Sequence, residues 1–150
     1  MGMGNGDTPN PTMSTNFVEV VQASYAAFER GDLDFLVAHA DPEIEIVQPY
    51  QLPGARTYHG HEGLVESIGE WAGEWDDFHL DVERTIDAGR DRVITIVRHH
   101  GRGKASGAPV EMRWVYVHTG RDGKHFRWEI FTSLDDAFAA IGLRKLKGER

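Results

Sequence analysis

The spacing of apolar residues changes once along this chain, from the period of a helix to the period of a strand. In the first half, apolar side chains recur three and four residues apart, as on one face of a helix, over 17–30, 33–40 and 61–75. After Asp77, apolar and polar residues alternate, as they do on a strand, over 78–87, 92–102, 110–119 and 124–132. A further alternating stretch, 43–50, lies between the second and third helical segments, and Ser133 begins a short last helix. This order predicts an α+β fold with three N-terminal helices against one face of an antiparallel sheet.

Capping residues mark the ends of the first two helices. Asn16 has the side chain of an N-cap and is followed three residues later by Glu19. Gly31 suits the left-handed residue that ends a helix, and Asp32 is placed to cap the next one. The sequence therefore predicts two helices separated by one tight turn.

The length of 150 residues is that of one domain. Residues 1–13 are rich in Gly, Asn and Pro, so they offer little apolar surface to offset the entropy of ordering. We expect a flexible leader over 1–13, one domain over 14–143 and a short basic tail over 144–150.

Composition excludes several classes of function. The formal net charge of −8 argues against nucleic-acid binding, which depends on Lys and Arg neutralising phosphates. The chain contains no cysteine, so thiolate catalysis and thiolate metal sites are absent. No apolar run reaches the length of a membrane span and no secretory signal is visible, which predicts a cytoplasmic protein without a membrane partner. His59, His61 and Glu62 have the chemistry of metal ligands but no evident further ligand, so we expect no metal and no cofactor.

Four segments in order resemble one known family. They are YAAFERGDLDFLVAHADPEIEI, YHGHEGLVESIGEW, GRGKASGAPVEMRW and GRDGKHFRWEIFTSLDDAFAAIGL, and they span about residues 16–143. They are similar to the SnoaL-like, polyketide cyclase-like branch of the nuclear transport factor 2-like superfamily. The resemblance implies a cone-shaped, curved antiparallel sheet that encloses a pocket covered by helices, and frequently a homodimer through the outer sheet face. It does not imply one reaction.

Two reactions of that superfamily do not carry over. At the position of the ketosteroid isomerase base this chain has Gln48, which cannot take a proton at neutral pH. The positions of that enzyme's pocket Tyr and neutral Asp fall on Ser24 and close to Val115. Limonene epoxide hydrolase uses an Asp–Arg–Asp cluster. In this chain Arg113 could correspond to the arginine, but no pair of inward-facing acids accompanies it.

The alternation and the resemblance together nominate other site residues. Pairing with the isomerase places His99 inward, where a general acid or base active near neutral pH could act. Arg113 could hold a ligand carboxylate or enolate, or instead form a cross-strand ion pair with an acid such as Glu129. A register shifted by one residue would put Tyr116 and His118 in the pocket instead. The expected ligand-binding residues are aromatic or amide side chains: Tyr25, Gln48, Tyr50, Trp71 and Trp128.

The sequence thus predicts a pocket protein for a small hydrophobic molecule. It could be a cofactor-independent acid–base enzyme, of the cyclase, isomerase, dehydratase or hydrolase type, or a non-catalytic ligand-binding or dimeric interaction domain. Apolar residues on both faces of 92–102 and 110–119 predict a homodimer through the outer face of the sheet.

Overall fold

The computed structural model describes residues 16–142, so the expected leader 1–13 and tail 144–150 lie outside the described residues. The elements, in chain order, are α1 (Phe17–Glu29), α2 (Leu33–Ala38), β1 (Ala40–Val47), β2 (Thr57–His59), α3 (Gly60–Ala72), β3 (Trp75–Gly89), β4 (Arg92–Gly103), β5 (Pro109–Arg121), β6 (Lys124–Phe131) and α4 (Leu134–Ala140). The predicted α+β class is confirmed. Strand β2 lies between the alternating stretch 43–50 and the helical segment 61–75, where the sequence predicts no strand, and α3 ends before Trp75, which begins β3.

The first two helices begin and end where the capping residues predict. The Asn16 side chain accepts a hydrogen bond from the Val18 N–H at 2.9 Å, and Asp32 accepts one from the Phe35 N–H at 3.1 Å. Gly31 between them has a φ of 74°, a conformation that costs glycine little. Within residues 16–142, no helix combines the length and the hydropathy that crossing a membrane requires.

The six strands form one sheet in the order β2-β1-β6-β5-β4-β3. Neighbouring strands are antiparallel except for β1 and β6, which run parallel. The prediction of an antiparallel sheet is therefore corrected at this one pair, because alternation within a strand carries no information about the direction of its neighbour. Register shifts along β3 mark bulges, which bend a strand and curve the sheet.

Helices α1 and α3 cover the inner face of the sheet. Phe17, Val20 and Val21 of α1 pack with Val93 of β4, and Leu64 of α3 packs with a cluster on β1 and β2. The space between these helices and the inner face of the sheet is the cavity described below.

The outer face of the sheet is covered in part by α4. Ala137 on this helix is fully buried and packs against Ile94, Val115 and Val117, on the opposite face from the cavity. The apolar residues on the outer face of β4 and β5 thus have a partner within the chain. Further along the same face, Arg98 and Arg113 form ion pairs with Asp81, Glu83 and Glu111.

Candidate functional site

The inner face of the sheet and the helices enclose a cavity of about 120 Å3. Its wall is mostly aromatic and aliphatic, and none of its residues in the described part of the chain is Asp, Glu, Lys or Arg. The lining residues are Ser24, Tyr25, Phe28, Leu36, Ile46, Gln48, Pro49, Leu52, Ser67, Ile68, Trp71, Phe78, Leu80, His99, Trp114, Tyr116, His118, Trp128 and Ile130.

Strand pairing determines which side chains of β5 face the cavity. His99 of β4 lies directly opposite Met112 of β5, so the two share a face. Trp114, Tyr116 and His118 follow at two-residue steps and line the cavity, whereas Val115 lies on the outer face. The alternative register of the sequence analysis is thus the one observed.

Two predicted site residues lie elsewhere. Arg113 is on the outer face, where it donates two hydrogen bonds to the Glu83 carboxylate at 2.7 and 3.0 Å. Its partners are therefore Glu83 of β3, which lies two strands away, and Glu111 of its own strand, not Glu129. On this face it cannot hold a ligand in the cavity. Tyr50 is 85% exposed, because β1 ends at Val47 and the alternation that placed Tyr50 inward does not extend past it.

The other predicted residues do line the cavity: His99, Tyr25, Gln48, Trp71 and Trp128. Gln48 also holds the chain after β1, since its side-chain oxygen accepts a hydrogen bond from the Arg56 N–H at 3.1 Å. The amide is thus committed in part to the loop between β1 and β2.

A chain of hydrogen bonds connects Trp71, His99 and Tyr116. The Trp71 indole N–H donates to His99 Nδ1 at 3.0 Å. Because an indole nitrogen only donates, Nδ1 must present its lone pair, and the neutral ring carries its proton on Nε2. His99 Nε2 lies 3.3 Å from the Tyr116 hydroxyl, which therefore accepts this hydrogen bond.

A second tryptophan–histidine pair lies beside the first. The Trp128 indole N–H donates to His125 Nδ1 at 2.8 Å, which by the same argument leaves the proton of His125 on Nε2. Nε2 lies 2.9 Å from the Ser24 hydroxyl, and that hydroxyl donates to the Val20 carbonyl oxygen at 2.7 Å. This second chain ends on the backbone, with every proton matched to an acceptor.

His118 contributes a buried polar atom without a partner. Its Nε2 lies 2.8 Å from the Tyr25 hydroxyl, which is itself 2.7 Å from Thr95 Oγ1. Among the described residues, no group lies within hydrogen-bonding distance of His118 Nδ1, although the side chain is only 3% exposed. A buried nitrogen in this state gains from any ligand or water that reaches it.

Burial keeps the histidines of the site neutral. It lowers the pKa of His99 to about 4 and that of His125 to about 3, and it lowers the pKa of His118 well below its ordinary value. Burial also raises the pKa of Tyr25 and of Tyr116. The cavity therefore offers neutral hydrogen-bonding groups and no charge near pH 7.

The histidines considered as metal ligands have other partners. His61 Nε2 lies 2.8 Å from the Ala40 carbonyl oxygen, and His59 lies 3.7 Å from the Glu45 carboxylate. In the part of the chain that the structure describes, no three His, Asp or Glu side chains are grouped as a metal site would require.

Several residues of the site were not nominated from the sequence, notably Trp114, Phe78, Phe28, Ser24 and His125. Trp114 could have been found from the sequence of β5, because Met112, Trp114, Tyr116 and His118 alternate with smaller or charged residues and therefore share one face. Nothing local in the sequence indicates the pairing of Trp128 with His125.

Comparisons with known proteins agree with this architecture. A model of the SnoaL-like domain matches residues 21–128. No curated protein matches the sequence. A nuclear transport factor 2-like protein from Burkholderia thailandensis is 29% identical, with a TM-score of 0.71 over 85% of this chain and 98% of that chain.

Two further solved structures are similar. TerC, crystallised with polyporic acid, is 28% identical, with a TM-score of 0.66 over 83% of this chain and 95% of that chain. A nuclear transport factor 2-like protein of unknown function from Burkholderia pseudomallei is 22% identical, with a TM-score of 0.69 over 86% of this chain and 99% of that chain, a likeness in fold alone. The matched domain model covers more than half of the chain, which therefore belongs to the SnoaL-like domain family of the nuclear transport factor 2-like superfamily.

Proposed function

We propose that this protein binds a small, uncharged, largely apolar molecule in the cavity between the helices and the curved sheet. The observation that carries the proposal is the composition of the wall, which is aromatic and aliphatic with neutral histidine and tyrosine groups and no charged side chain among the described residues. A charged ligand would lose its hydration in this cavity without gaining an opposite charge.

The volume limits the size of the ligand. A cavity of about 120 Å3 is comparable to an engineered cavity of about 150 Å3 that takes up benzene. One aromatic ring is therefore about the size that fits, and because the cavity is open on one side, a short substituent can extend toward the opening. Trp71 and Trp114, whose rings meet edge to face at 6.3 Å, offer the wall against which such a ring can pack.

A relative supports binding of a small molecule. TerC was crystallised with polyporic acid, and it is similar to this chain over most of both lengths. Because no charged side chain lines the cavity in the described part of this chain, a carboxylate probe is included in the test.

A second candidate function is an acid–base reaction on the same ligand. It is favoured by Tyr116, whose hydroxyl could stabilise negative charge that develops on a ligand oxygen. Binding ranks first because no carboxylate lines the described cavity and burial lowers the pKa of its histidines, which makes them weak bases.

The test uses three probes of one shape: acetophenone, which is neutral with a carbonyl oxygen, α-methylstyrene, which is neutral without it, and benzoate, which is charged. Each is titrated into the full chain while the indole N–H signals of the tryptophans are followed by nuclear magnetic resonance. We expect both neutral probes to shift the Trp71 and Trp114 signals. Benzoate should bind at least about 10-fold more weakly, because burying an unpaired charge is costly.

A variant that fills the cavity gives the control. Leu80 lines the cavity, and Leu80→Trp should abolish binding of both neutral probes, whereas Tyr50→Ala, at an exposed residue outside the cavity, should leave it unchanged. Absence of any shift with either neutral probe would refute the proposal, and so would tightest binding of benzoate.

A further inference from the structure

We infer that Trp71 is a positioning residue that fixes the direction of the hydrogen bond between His99 and Tyr116, so that the Tyr116 hydroxyl proton is left to bind an acceptor oxygen of the ligand. The inference rests on the proposed function and narrows the ligand to a molecule with a carbonyl or similar acceptor oxygen.

The direction follows from counting protons. Trp71 Nε1 has a hydrogen to donate and no lone pair to offer, and it lies 3.0 Å from His99 Nδ1. A proton on Nδ1 would face the indole N–H, so the proton of the neutral ring lies on Nε2. Nε2 then donates to Tyr116, the one polar group within its reach in the described residues, at 3.3 Å.

Tyr116 is therefore an acceptor toward His99, and its own proton remains. The structure gives this O–H no acceptor among residues 16–142, although the hydroxyl belongs to a side chain that lines the cavity. An O–H group beside an apolar space gains more from a hydrogen bond than it would in water. A ligand oxygen in the cavity would supply that acceptor.

The neighbouring pair shows what a complete chain looks like. Trp128 and His125 are arranged as Trp71 and His99 are, but their chain ends at the Val20 carbonyl oxygen. No proton is left over there. Trp128 also lines the cavity, so it provides a matched control for Trp71.

The first measurement is the tautomer of each histidine in the free protein, read from nitrogen-15 chemical shifts of the imidazole rings. We expect both His99 and His125 to carry the proton on Nε2. In Trp71→Phe, which keeps an aromatic ring and removes the donor, His99 should become a mixture of tautomers while His125 is unchanged. In Trp128→Phe, the pattern should be reversed. A merely structural role for either tryptophan would not produce this exchange.

The second measurement is the ratio of the affinities for acetophenone and α-methylstyrene, which differ only in the acceptor oxygen. Tyr116→Phe should lower this ratio by about 2- to 12-fold, the factor that corresponds to one neutral hydrogen bond. Trp71→Phe should lower it by a smaller factor, and Trp128→Phe should change both affinities together and leave the ratio as it was.

The outcomes separate this inference from the proposed function. Failure of every neutral probe to bind overturns the function, and the tautomers still decide the direction of the His99–Tyr116 hydrogen bond. Binding with a ratio unchanged in Tyr116→Phe overturns the inference alone. A proton on His99 Nδ1 in the unaltered protein overturns it as well, and this holds even where Tyr116→Phe does not fold.

Discussion

The chemistry of His99 is set by its neighbour and not by its sequence context. A histidine facing a pocket suggests a base that works near neutral pH. In the structure, the indole of Trp71 occupies the Nδ1 lone pair of His99, and burial lowers the pKa of the ring to about 4. His99 as a catalytic residue stays a prediction, and the geometry makes it first a hydrogen-bond donor to Tyr116.

A glutamine at position 99 distinguishes a donor from a base. In His99→Gln, the amide oxygen can accept from Trp71 and the amide N–H can donate to Tyr116, so both hydrogen bonds persist. We expect the acetophenone to α-methylstyrene affinity ratio to stay within about twofold of the original, as one retained neutral hydrogen bond implies. His99→Leu, which removes both groups, should lower the ratio, though by less than Tyr116→Phe, because the Tyr116 hydroxyl remains but is no longer oriented by a donor. Equal losses in the two variants would contradict the donor role.

At the scale of the element, the phase of β5 decides which residues can meet a ligand. Arg113 and Trp114 are adjacent in sequence and lie on opposite faces of the sheet. Trp114→Ala should weaken acetophenone binding by roughly 3- to 10-fold, as the loss of one aromatic contact implies. Arg113→Met should leave the affinity unchanged, because only exposed ion pairs with Glu83 and Glu111 are lost. Calorimetric titration of both variants checks this, and a larger effect of Arg113→Met would reverse the assigned phase.

Apart from the short strand β2 and the end of α3, the elements could be predicted from the sequence, but which face of the sheet is the inner one could not. The helix ends follow from side chains that act locally, such as Asn16 and Asp32, and the strands follow from alternation. Alternation shows which residues share a face, but not which face is inner. Val115 and Val117 are apolar because α4 covers them, so in the sequence they cannot be distinguished from residues that line a pocket.

The same limit applies to the site. Trp71 and His99 are 28 residues apart, and Trp128 and His125 differ in role although both are aromatic. The hydrogen bond from Trp71 to His99 depends on where α3 crosses the sheet. The one from Trp128 to His125 depends on an irregularity in the register between β5 and β6, and no local pattern encodes either feature. Tyr50 lies outside the cavity for a simpler reason: β1 ends before it, so the alternation of the strand does not determine the direction of its side chain.

At the scale of the molecule, the buried histidines couple stability to pH. Burial lowers the pKa of His99, His118 and His125 in the folded state, whereas in the unfolded chain the value is near 6.5. The unfolded chain therefore binds more protons below about pH 6.5. The free energy of unfolding should be steady above that pH and should fall as the pH drops toward 4, by about 1.4 kcal/mol per pH unit for each of the three.

Urea denaturation at a series of pH values between 7.5 and 4.5 measures this slope. His125→Gln, which can keep the contacts to Trp128 and Ser24, should reduce the slope by about one third because one of three titrating groups is gone. A free energy of unfolding that is constant from pH 7 to pH 5 would contradict the buried neutral state of these rings.

The homodimer stays a prediction. The prediction rests on apolar residues on the outer face of the sheet, and α4 covers some of these residues. The rest of that face carries ion pairs of Arg98 and Arg113. Light scattering at micromolar concentration tests it, and a particle with twice the mass of the chain is the expected result.

The most direct test of the whole account is a crystal structure of the protein with acetophenone. We expect the phenyl ring against Trp71 and Trp114 and the carbonyl oxygen at about 2.6–2.9 Å from the Tyr116 hydroxyl, the distance of an O–H···O hydrogen bond. A probe bound outside the cavity would contradict the proposed function. A probe inside it, with its oxygen turned away from Tyr116, would contradict the directional chain from Trp71 through His99.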